Sequence, residues 1–170
     1  MKQKYFSGLI LTMLLFNHPS LAAQNQVSPE AQSASQYHGD VALDQLSEGN
    51  VAGAMKNLKT AIDLNPFSIR WRAEYTRLLQ AQAQGAFKAG KLAFGRTMFK
   101  AAEKEMVITA NLLVQQGQNK EAAKLYYNVA QLNEQVFQKR RTAYAYYQKA
   151  SQLDPQNLQV VAAIKSMTKS

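Results

Sequence analysis

Residues 42–66 read ALDQLSEGNVAGAMKNLKTAIDLNP and carry the signals for two helices joined by a tight turn. Gly49 can adopt the left-handed conformation that ends a helix, and Asn50 can cap the helix that follows. The second helix has an apolar stripe at helical spacing, formed by Ala54, Met55, Leu58, Ala61 and Ile62. Asn65-Pro66 ends this helix, because proline lacks a backbone N–H donor and restricts the preceding residue. Two helices joined by so short a turn must pack antiparallel.

The spacing of small and large side chains in this stretch resembles the tetratricopeptide repeat (TPR). In that family a small turn residue is followed by an alanine, a large apolar residue, a second alanine and a proline at fixed intervals. The residues at those intervals here are Gly49, Ala54, Leu58, Ala61 and Pro66. Alanines let two helix backbones approach closely, and the large residue fills the space beside them. The resemblance implies an all-α solenoid of stacked helical hairpins.

A second match lies further along the chain, at Gly117, Ala122, Tyr126 and Val129. The offset from Gly49 to Gly117 equals the offset from Ala54 to Ala122, and it is twice the repeat length of the family. We therefore interpret the two matches as equivalent positions two repeats apart. The copy expected between them departs from the pattern, and two registers fit it in part. One uses Ala83, Lys88, Leu92 and Gly95, and the other uses Gly85, Gly90, Phe94 and Thr97.

Apolar periodicity still predicts helices in this middle region. One face is formed by Trp71, Tyr75, Leu78 and Leu79, and another by Leu92, Met98 and Phe99. Near the end of the chain a further match, Ala143, Tyr147, Ala150 and Pro155, follows Ala122 by less than one repeat length. We predict helices over 121–137 and 143–153, a turn at 139–141, and a closing helix over 157–167. The whole is a TPR-like α-solenoid of about four helical hairpins with a C-terminal capping helix.

Residues 1–23 have the features of a secretory signal peptide. Lys2 and Lys4 supply positive charge, residues 6–16 form an uncharged apolar run, and residues 20–23 offer small side chains for cleavage. As a helix the apolar run would span only about 16 Å, half of a bilayer core, which disfavours an uncleaved anchor. We expect cleavage after Ala22 or Ala23 and export to the periplasm or beyond. Residues 24–35 are predicted to be a flexible polar tether, and residues 36–170 the helical repeat domain.

The residue inventory argues against catalysis. The chain has no cysteine, which excludes disulfides, thiolate nucleophiles and cysteine-ligated metals. His38 is the only histidine after residue 23 and cannot form a metal site or triad alone. Residues 85–92, GAFKAGKL, approach the phosphate-binding motif GxxxxGK[ST], but Leu92 lacks the hydroxyl that Mg²⁺ requires. We expect no enzyme activity, no cofactor, no metal and no small-molecule substrate.

Positive charge is concentrated in one part of the chain. Residues 67–100 contain seven basic side chains and one acidic one, or +6 of the +7 that remains after residue 23. In the family, the first helix of each repeat lines a concave groove. The family's repeat register places Arg70, Ala73 and Arg77 in that groove from the second repeat, and Lys104 and Asn111 from the third. We predict a basic partner-binding face formed by Arg70, Glu74, Arg77, Lys104 and Asn111.

These features favour a scaffold or adaptor of the bacterial envelope that binds an acidic or extended segment of another protein, for instance in a secretion, pilus or cell-wall assembly. The co-chaperone type of groove is disfavoured, because Gly39 and Leu43 stand where its carboxylate-binding Lys and Asn would be. The alternative is a polyanion binder that contacts nucleic acid, anionic lipid or lipopolysaccharide through Arg70-Trp71-Arg72 and the lysines after them. The sequence does not indicate an oligomeric state.

Overall fold

The computed structural model describes residues 27–168, and this part of the chain forms seven α-helices. They are α1 (Pro29–Ser47), α2 (Val51–Leu64), α3 (Ile69–Lys88), α4 (Leu92–Gln115), α5 (Asn119–Gln135), α6 (Arg140–Leu153) and α7 (Leu158–Thr168). Consecutive helices pack antiparallel, and the most extensive packing joins α1 to α2, α3 to α4, and α5 to α6. The result is an all-α, TPR-like solenoid. The described residues form three hairpins followed by α7, rather than the four hairpins expected.

The helix ends follow the local signals that the sequence carries. The Asn50 side chain accepts a hydrogen bond of 2.9 Å from the backbone N–H of Gly53, which caps α2. The stripe predicted for α2 is confirmed, because Ala54, Leu58, Ala61 and Ile62 are buried together and Met55 packs against them. The closing helix is also confirmed as α7, and Val160 is its buried residue.

Four of the connections between helices share a residue with positive φ and the same spacing of side chains after it. Each contains a residue with positive φ: Gly49 (80°), Gly90 (74°), Gly117 (73°) and Gln138 (56°). Five, nine and twelve residues after each turn come a small, a large and another small or medium side chain. The sets are Ala54, Leu58 and Ala61; Gly95, Phe99 and Ala102; Ala122, Tyr126 and Val129; and Ala143, Tyr147 and Ala150. The same local packing is therefore used four times.

The register of the middle hairpin differs from both of the expected ones. The turn lies at Gly90, and the intervals between successive turns shorten from Gly49 through Gly90 and Gly117 to Gln138. Gly49 joins α1 to α2 but Gly117 joins α4 to α5, so three helices lie between these turns rather than the four of two repeats. The interpretation of the offset between Gly49 and Gly117 as two repeats is therefore wrong. The offset arises because α3 and α4 are long, with 20 and 24 residues.

The helical domain also begins earlier than predicted. Pro29 opens α1, and the Ser28 side chain accepts a hydrogen bond from the N–H of Ala31. Ser35 is buried and its hydroxyl donates to the carbonyl of Ala61 at 2.7 Å, which ties α1 to α2. Residues 29–35 are thus part of the packed domain and not of a tether. The predicted signal peptide at residues 1–23 lies outside the described residues.

The buried alanines after the turns provide a test of this packing. Ala54 and Ala122 are fully buried where two helices meet. Ala54→Leu and Ala122→Leu are each expected to lower the free energy of unfolding by about 1–3 kcal/mol, because three added heavy atoms must displace neighbours. The matched control is Ala52→Leu, at an exposed position of α2. Urea unfolding followed by circular dichroism measures the difference, and equal stability of all three variants would contradict the assigned packing.

Candidate partner-binding cleft

An open cleft of about 500 Å³ lies between α3, α4 and α5. Helix α4 supplies its floor, and α3 and α5 supply its walls. The apolar lining consists of Ile69, Ala73, Met106, Leu113 and Leu125. Amide side chains line the same space from both walls: Gln80, Gln118 and Asn128. The cleft thus combines an apolar surface with groups that can both donate and accept hydrogen bonds.

The charges in the cleft are few and of both signs. Arg77, Lys124 and Glu121 are the ionisable residues that line it. Arg77 is not a free cation, because its Nε lies 3.0 Å from a carboxylate oxygen of Glu74. The expectation of a basic groove is therefore not met at this cleft.

One buried hydroxyl in the cleft lining lacks a partner. Thr76 is buried on α3, and its Oγ1 makes no hydrogen bond within the described part of the chain. Its neighbour in the lining, Thr109, differs in this respect, since its hydroxyl donates to the carbonyl of Glu105 at 2.8 Å. An unpaired buried hydroxyl is costly, and the Thr76 oxygen is enclosed by the fold, so it is not open to a group bound in the cleft.

The predicted site residues do not meet in this cleft. Arg77 lines it, and Glu74 reaches it only through its ion pair with Arg77. Arg70 lies elsewhere, with its guanidinium carbon 4.3 Å from the centre of the Trp71 ring. It borders a second cleft of about 630 Å³ beside the start of α1. Arg70 and Arg77 therefore share a helix but not a cavity.

Lys104 and Asn111 lie on the outer side of α4. The cleft-lining residues of this helix are Met106, Thr109 and Leu113, and a helix turns by about 100° per residue. Positions 104 and 111 are each two residues from a lining residue and so face away from the cleft. The family's repeat register places them in the groove, because it treats α4 as the first helix of a repeat. In the structure α4 is the second helix of its hairpin, and α5 takes the wall position instead.

Asn111 belongs to a cluster of tyrosines on that outer side. It accepts a hydrogen bond from the Tyr126 hydroxyl. The rings of Tyr126 and Tyr146 stack with centroids 6.0 Å apart, and the Lys149 ammonium lies 5.5 Å and 5.4 Å from them. Burial raises the pKa of both tyrosines, which keeps the hydroxyls protonated and able to donate. This arrangement gives Asn111 a structural role in joining α4 to α5.

The cations of residues 67–100 separate into three groups. Two are paired within the fold: Arg72 with Glu105, and Lys100 with Glu103. Arg70 and Arg77 lie along α3, at different clefts. The others, Lys88, Lys91 and Arg96, are exposed around the α3–α4 turn. The Arg70-Trp71-Arg72 surface suggested for polyanions does not form, because Trp71 is 2% exposed and Arg72 is 7% exposed.

The sequence does contain a pattern that marks the residues lining the cleft between α3, α4 and α5. On α3 the lining residues recur at 69, 73, 76 and 80, and on α5 at 121, 125 and 128. Both sets have the three- and four-residue spacing of one helix face. Apart from Thr76 and Glu121, these positions carry amides and aliphatic side chains, so a search for basic charge finds Arg77 but passes over them.

The structure places the other sequence candidates, the GAFKAGKL segment and His38, within the helical framework. The GAFKAGKL segment forms the end of α3, the Gly90 turn and the first residue of α4. His38 Nδ1 lies 2.9 Å from Oδ1 of Asn57, between α1 and α2. The described residues contain no group of three metal-ligating side chains. Within the same range, no helix combines the length and apolar character needed to cross a bilayer.

Comparison with solved structures agrees with the fold. The N-terminal domain of stress-induced protein-1 (STI-1) from C. elegans matches with a TM-score of 0.53 at 14% identity, over 83% of this chain and 99% of that one. The first TPR of Spaghetti (RPAP3), solved with the HSP90 peptide SRMEEVD, matches with a TM-score of 0.43 at 15% identity, over 81% and 93%. No protein-family model and no curated protein sequence matches this chain. The class that fold and cleft define is a TPR-like helical repeat protein.

Proposed function

We propose that this protein is a non-enzymatic scaffold that binds an extended segment of a partner protein in the cleft between α3, α4 and α5. The observation that carries the proposal is the lining itself, in which apolar side chains lie among amides borne by the α3 and α5 walls. Met106 and Leu113 of the floor are already buried, so apolar side chains of a bound segment would instead cover Ile69, Ala73 and Leu125 and remove them from water. The amides of Gln80 and Asn128 can hydrogen-bond to the backbone of an extended chain, whatever its sequence.

The cleft favours a partner segment that is more apolar than acidic. Arg77 is already paired with Glu74, and Glu121 would repel a carboxylate placed beside it. Lys124 remains as the cation available to an acidic side chain, and an exposed ion pair contributes less than about 1 kcal/mol. Most of the affinity must then come from buried apolar contacts, with charge selecting the orientation of the segment.

We further propose that the protein acts in the bacterial envelope, where a scaffold of this kind would support the assembly of a secretion, pilus or cell-wall complex. The support for this location is the order of charge, apolar run and small residues at positions 1–23. Intact-mass analysis of the protein from cell fractions tests the location. A mature N-terminus at Ala23 or Gln24 is expected, and a full-length species retained in the cytoplasm would exclude it.

Closing the cleft should abolish partner binding without unfolding the protein. Ala73 and Asn128 are exposed and line the cleft from opposite walls. Ala73→Arg combined with Asn128→Arg introduces two bulky cations that occupy the space and repel each other. We expect recovery of partner proteins to fall at least about tenfold, because apolar contacts across the cleft are lost. Quantitative mass spectrometry of material recovered from envelope extracts measures the change.

The matched control places the same two side chains outside the cleft. Ala52 and Ala145 are exposed on α2 and α6, so Ala52→Arg with Ala145→Arg adds the same charge. This variant should recover partners as the wild type does, and both variants should melt within about 3 °C of it, since exposed substitutions change stability little. Equal recovery by the cleft variant and the control would rule out the cleft as the binding site.

A further inference from the structure

The end of the α3–α4 hairpin exposes large apolar side chains. Leu92 is 56% exposed and Phe94 is 49% exposed, both in the first turn of α4. All residues from 88 to 94 are exposed, including the Gly90 turn between the helices. The sequence pattern placed Leu92 on a packed face of its helix, which the structure does not support. Leu92 and Phe94 point to different sides of α4, but both border the open space at the Gly90 turn, so the end of the helix rather than one of its faces is apolar.

This hairpin end projects beyond the helices on either side. Helix α3 has six residues more than α2, and α4 has seven more than α5. At 1.5 Å per residue, these differences extend the end by about 10 Å. Packing between α3 and α4 also holds this end of the hairpin in place. The rings of Phe87 and Phe99 lie 5.7 Å apart, and Gly95 lets α4 approach the Phe87 ring.

Positive charge surrounds the apolar pair. Lys88 and Lys91 flank the turn, Arg96 lies one helical turn beyond Leu92, and all three are exposed. None of the three forms an ion pair with a carboxylate of residues 27–168. The sequence contains no Asp or Glu between residues 75 and 102. The result is a projecting end with exposed apolar side chains and a cationic rim, which we call the α3–α4 tip (residues 88–96).

We propose that the α3–α4 tip docks on the surface of an anionic lipid bilayer, inserting Leu92 and Phe94 among the lipid headgroups. Leucine and phenylalanine beside lysine and arginine form the side-chain combination that binds at this interface, reaching roughly 5–10 Å into it. Each cation near an anionic surface strengthens binding by about fivefold, the equivalent of about 1 kcal/mol. Because the tip projects beyond α2 and α5, it can reach a flat, deformable layer before the rest of the domain does. This inference is independent of the cleft between α3, α4 and α5.

Vesicle binding tests the apolar part of the tip. Residues 24–170, which include all the described helices, are used so that the apolar run at residues 6–16 cannot bind lipid. Binding is measured by sedimentation with vesicles of phosphatidylcholine alone, or of two parts phosphatidylcholine to one part anionic phosphatidylglycerol. We expect binding to the anionic vesicles only, and about a tenfold or greater loss with Leu92→Ser and Phe94→Ser together. The control is Leu158→Ser with Val161→Ser, two exposed apolar residues of α7, which should change binding less than about twofold.

A charge-matched pair of variants tests the cationic rim. Lys88→Gln with Lys91→Gln should weaken binding by about 25-fold, following the fivefold contribution of each cation. Lys56→Gln with Lys120→Gln removes the same net charge at exposed positions of α2 and α5. It should weaken binding less than about threefold, because charges beyond a Debye length of about 10 Å from the membrane are screened. Circular dichroism and melting curves confirm that every variant compared is folded.

Insertion can be observed directly because the chain contains no cysteine. A single cysteine at Ala93, labelled with the environment-sensitive dye NBD, should shift its emission to shorter wavelength on anionic vesicles. The same dye at Ala145 should not shift. The proposal is overturned if the protein does not bind anionic vesicles, or if the two charge variants lose binding equally while Leu92→Ser with Phe94→Ser loses none. It is also overturned if the dye at residue 93 does not shift, or if the tip variants change only self-association, or only binding to DNA or acidic peptide.

Discussion

Arg72→Ala is expected to lower the free energy of unfolding by about 3 kcal/mol, the largest effect of a single truncation predicted for this chain. Arg72 is buried on α3, where its guanidinium pairs with Glu105 of α4. Its Nε also donates to the carbonyl of Pro66 at 3.0 Å, which ties the α2–α3 turn to the same group. Removing the side chain leaves a mostly buried carboxylate and a turn carbonyl without their partner.

Arg70→Ala is the matched control, since it removes the same side chain two residues earlier in the same helix. Arg70 is exposed and stacks on Trp71, an interaction that contributes at most about 1 kcal/mol at a surface site. Urea unfolding of the two variants under the same conditions measures both free energies. Similar losses for both would show that Arg72 lies at the surface, as the sequence interpretation assumed, and would contradict its burial.

Gly39→Ala is expected to destabilise the protein by about 3 kcal/mol, at the upper end of the range for overpacking. A Cβ atom at position 39 of α1 would lie 2.1 Å from the Trp71 ring, far inside van der Waals contact. The indole is buried and rigid, so α1 and α3 would have to separate to admit a methyl group. The gain of about 1 kcal/mol that alanine brings to a helix interior offsets only part of this cost.

Gly85→Ala provides the opposite expectation within the same fold. Gly85 is exposed on α3, and a Cβ at that position meets no atom within 4 Å. The substitution should therefore raise stability by about 0.5–1 kcal/mol through helix propensity alone. Opposite signs for the two glycines, measured as melting temperatures and in urea, would establish the α1–α3 contact at Trp71. A stabilising Gly39→Ala would disprove it.

Local features of this fold could be predicted because they depend on neighbours in sequence. The turn at Gly49, the Asn50 cap and the stripe from Ala54 to Ile62 all lie within one short stretch, and each has its own physical signal. The closing helix could be predicted for the same reason. These features are sufficient to indicate the class of fold, because a hairpin with one apolar face must stack on another.

The middle register could not be predicted because it depends on how long α3 and α4 are. Both helices continue past the length that the family's repeat allows, and only packing such as Phe87 on Gly95 shows where the turn lies. An error in this register moved the predicted groove from α5 to α4, and with it Lys104 and Asn111. The charge pattern also gave a wrong expectation. It treats Arg72 as one more exposed cation, but Arg72 is buried against Glu105.

The central claim is that a partner protein binds in the cleft between α3, α4 and α5. Site-specific photo-cross-linking in living cells tests this claim most directly. A photoreactive amino acid is placed at Gln80 or Asn128, which line opposite walls of the cleft, and at Lys104, which lies on the outer side of α4. We predict that positions 80 and 128 cross-link to the same short segment of one partner protein, and that position 104 does not. Cross-links to that partner from position 104, with none from positions 80 and 128, would contradict the proposed site.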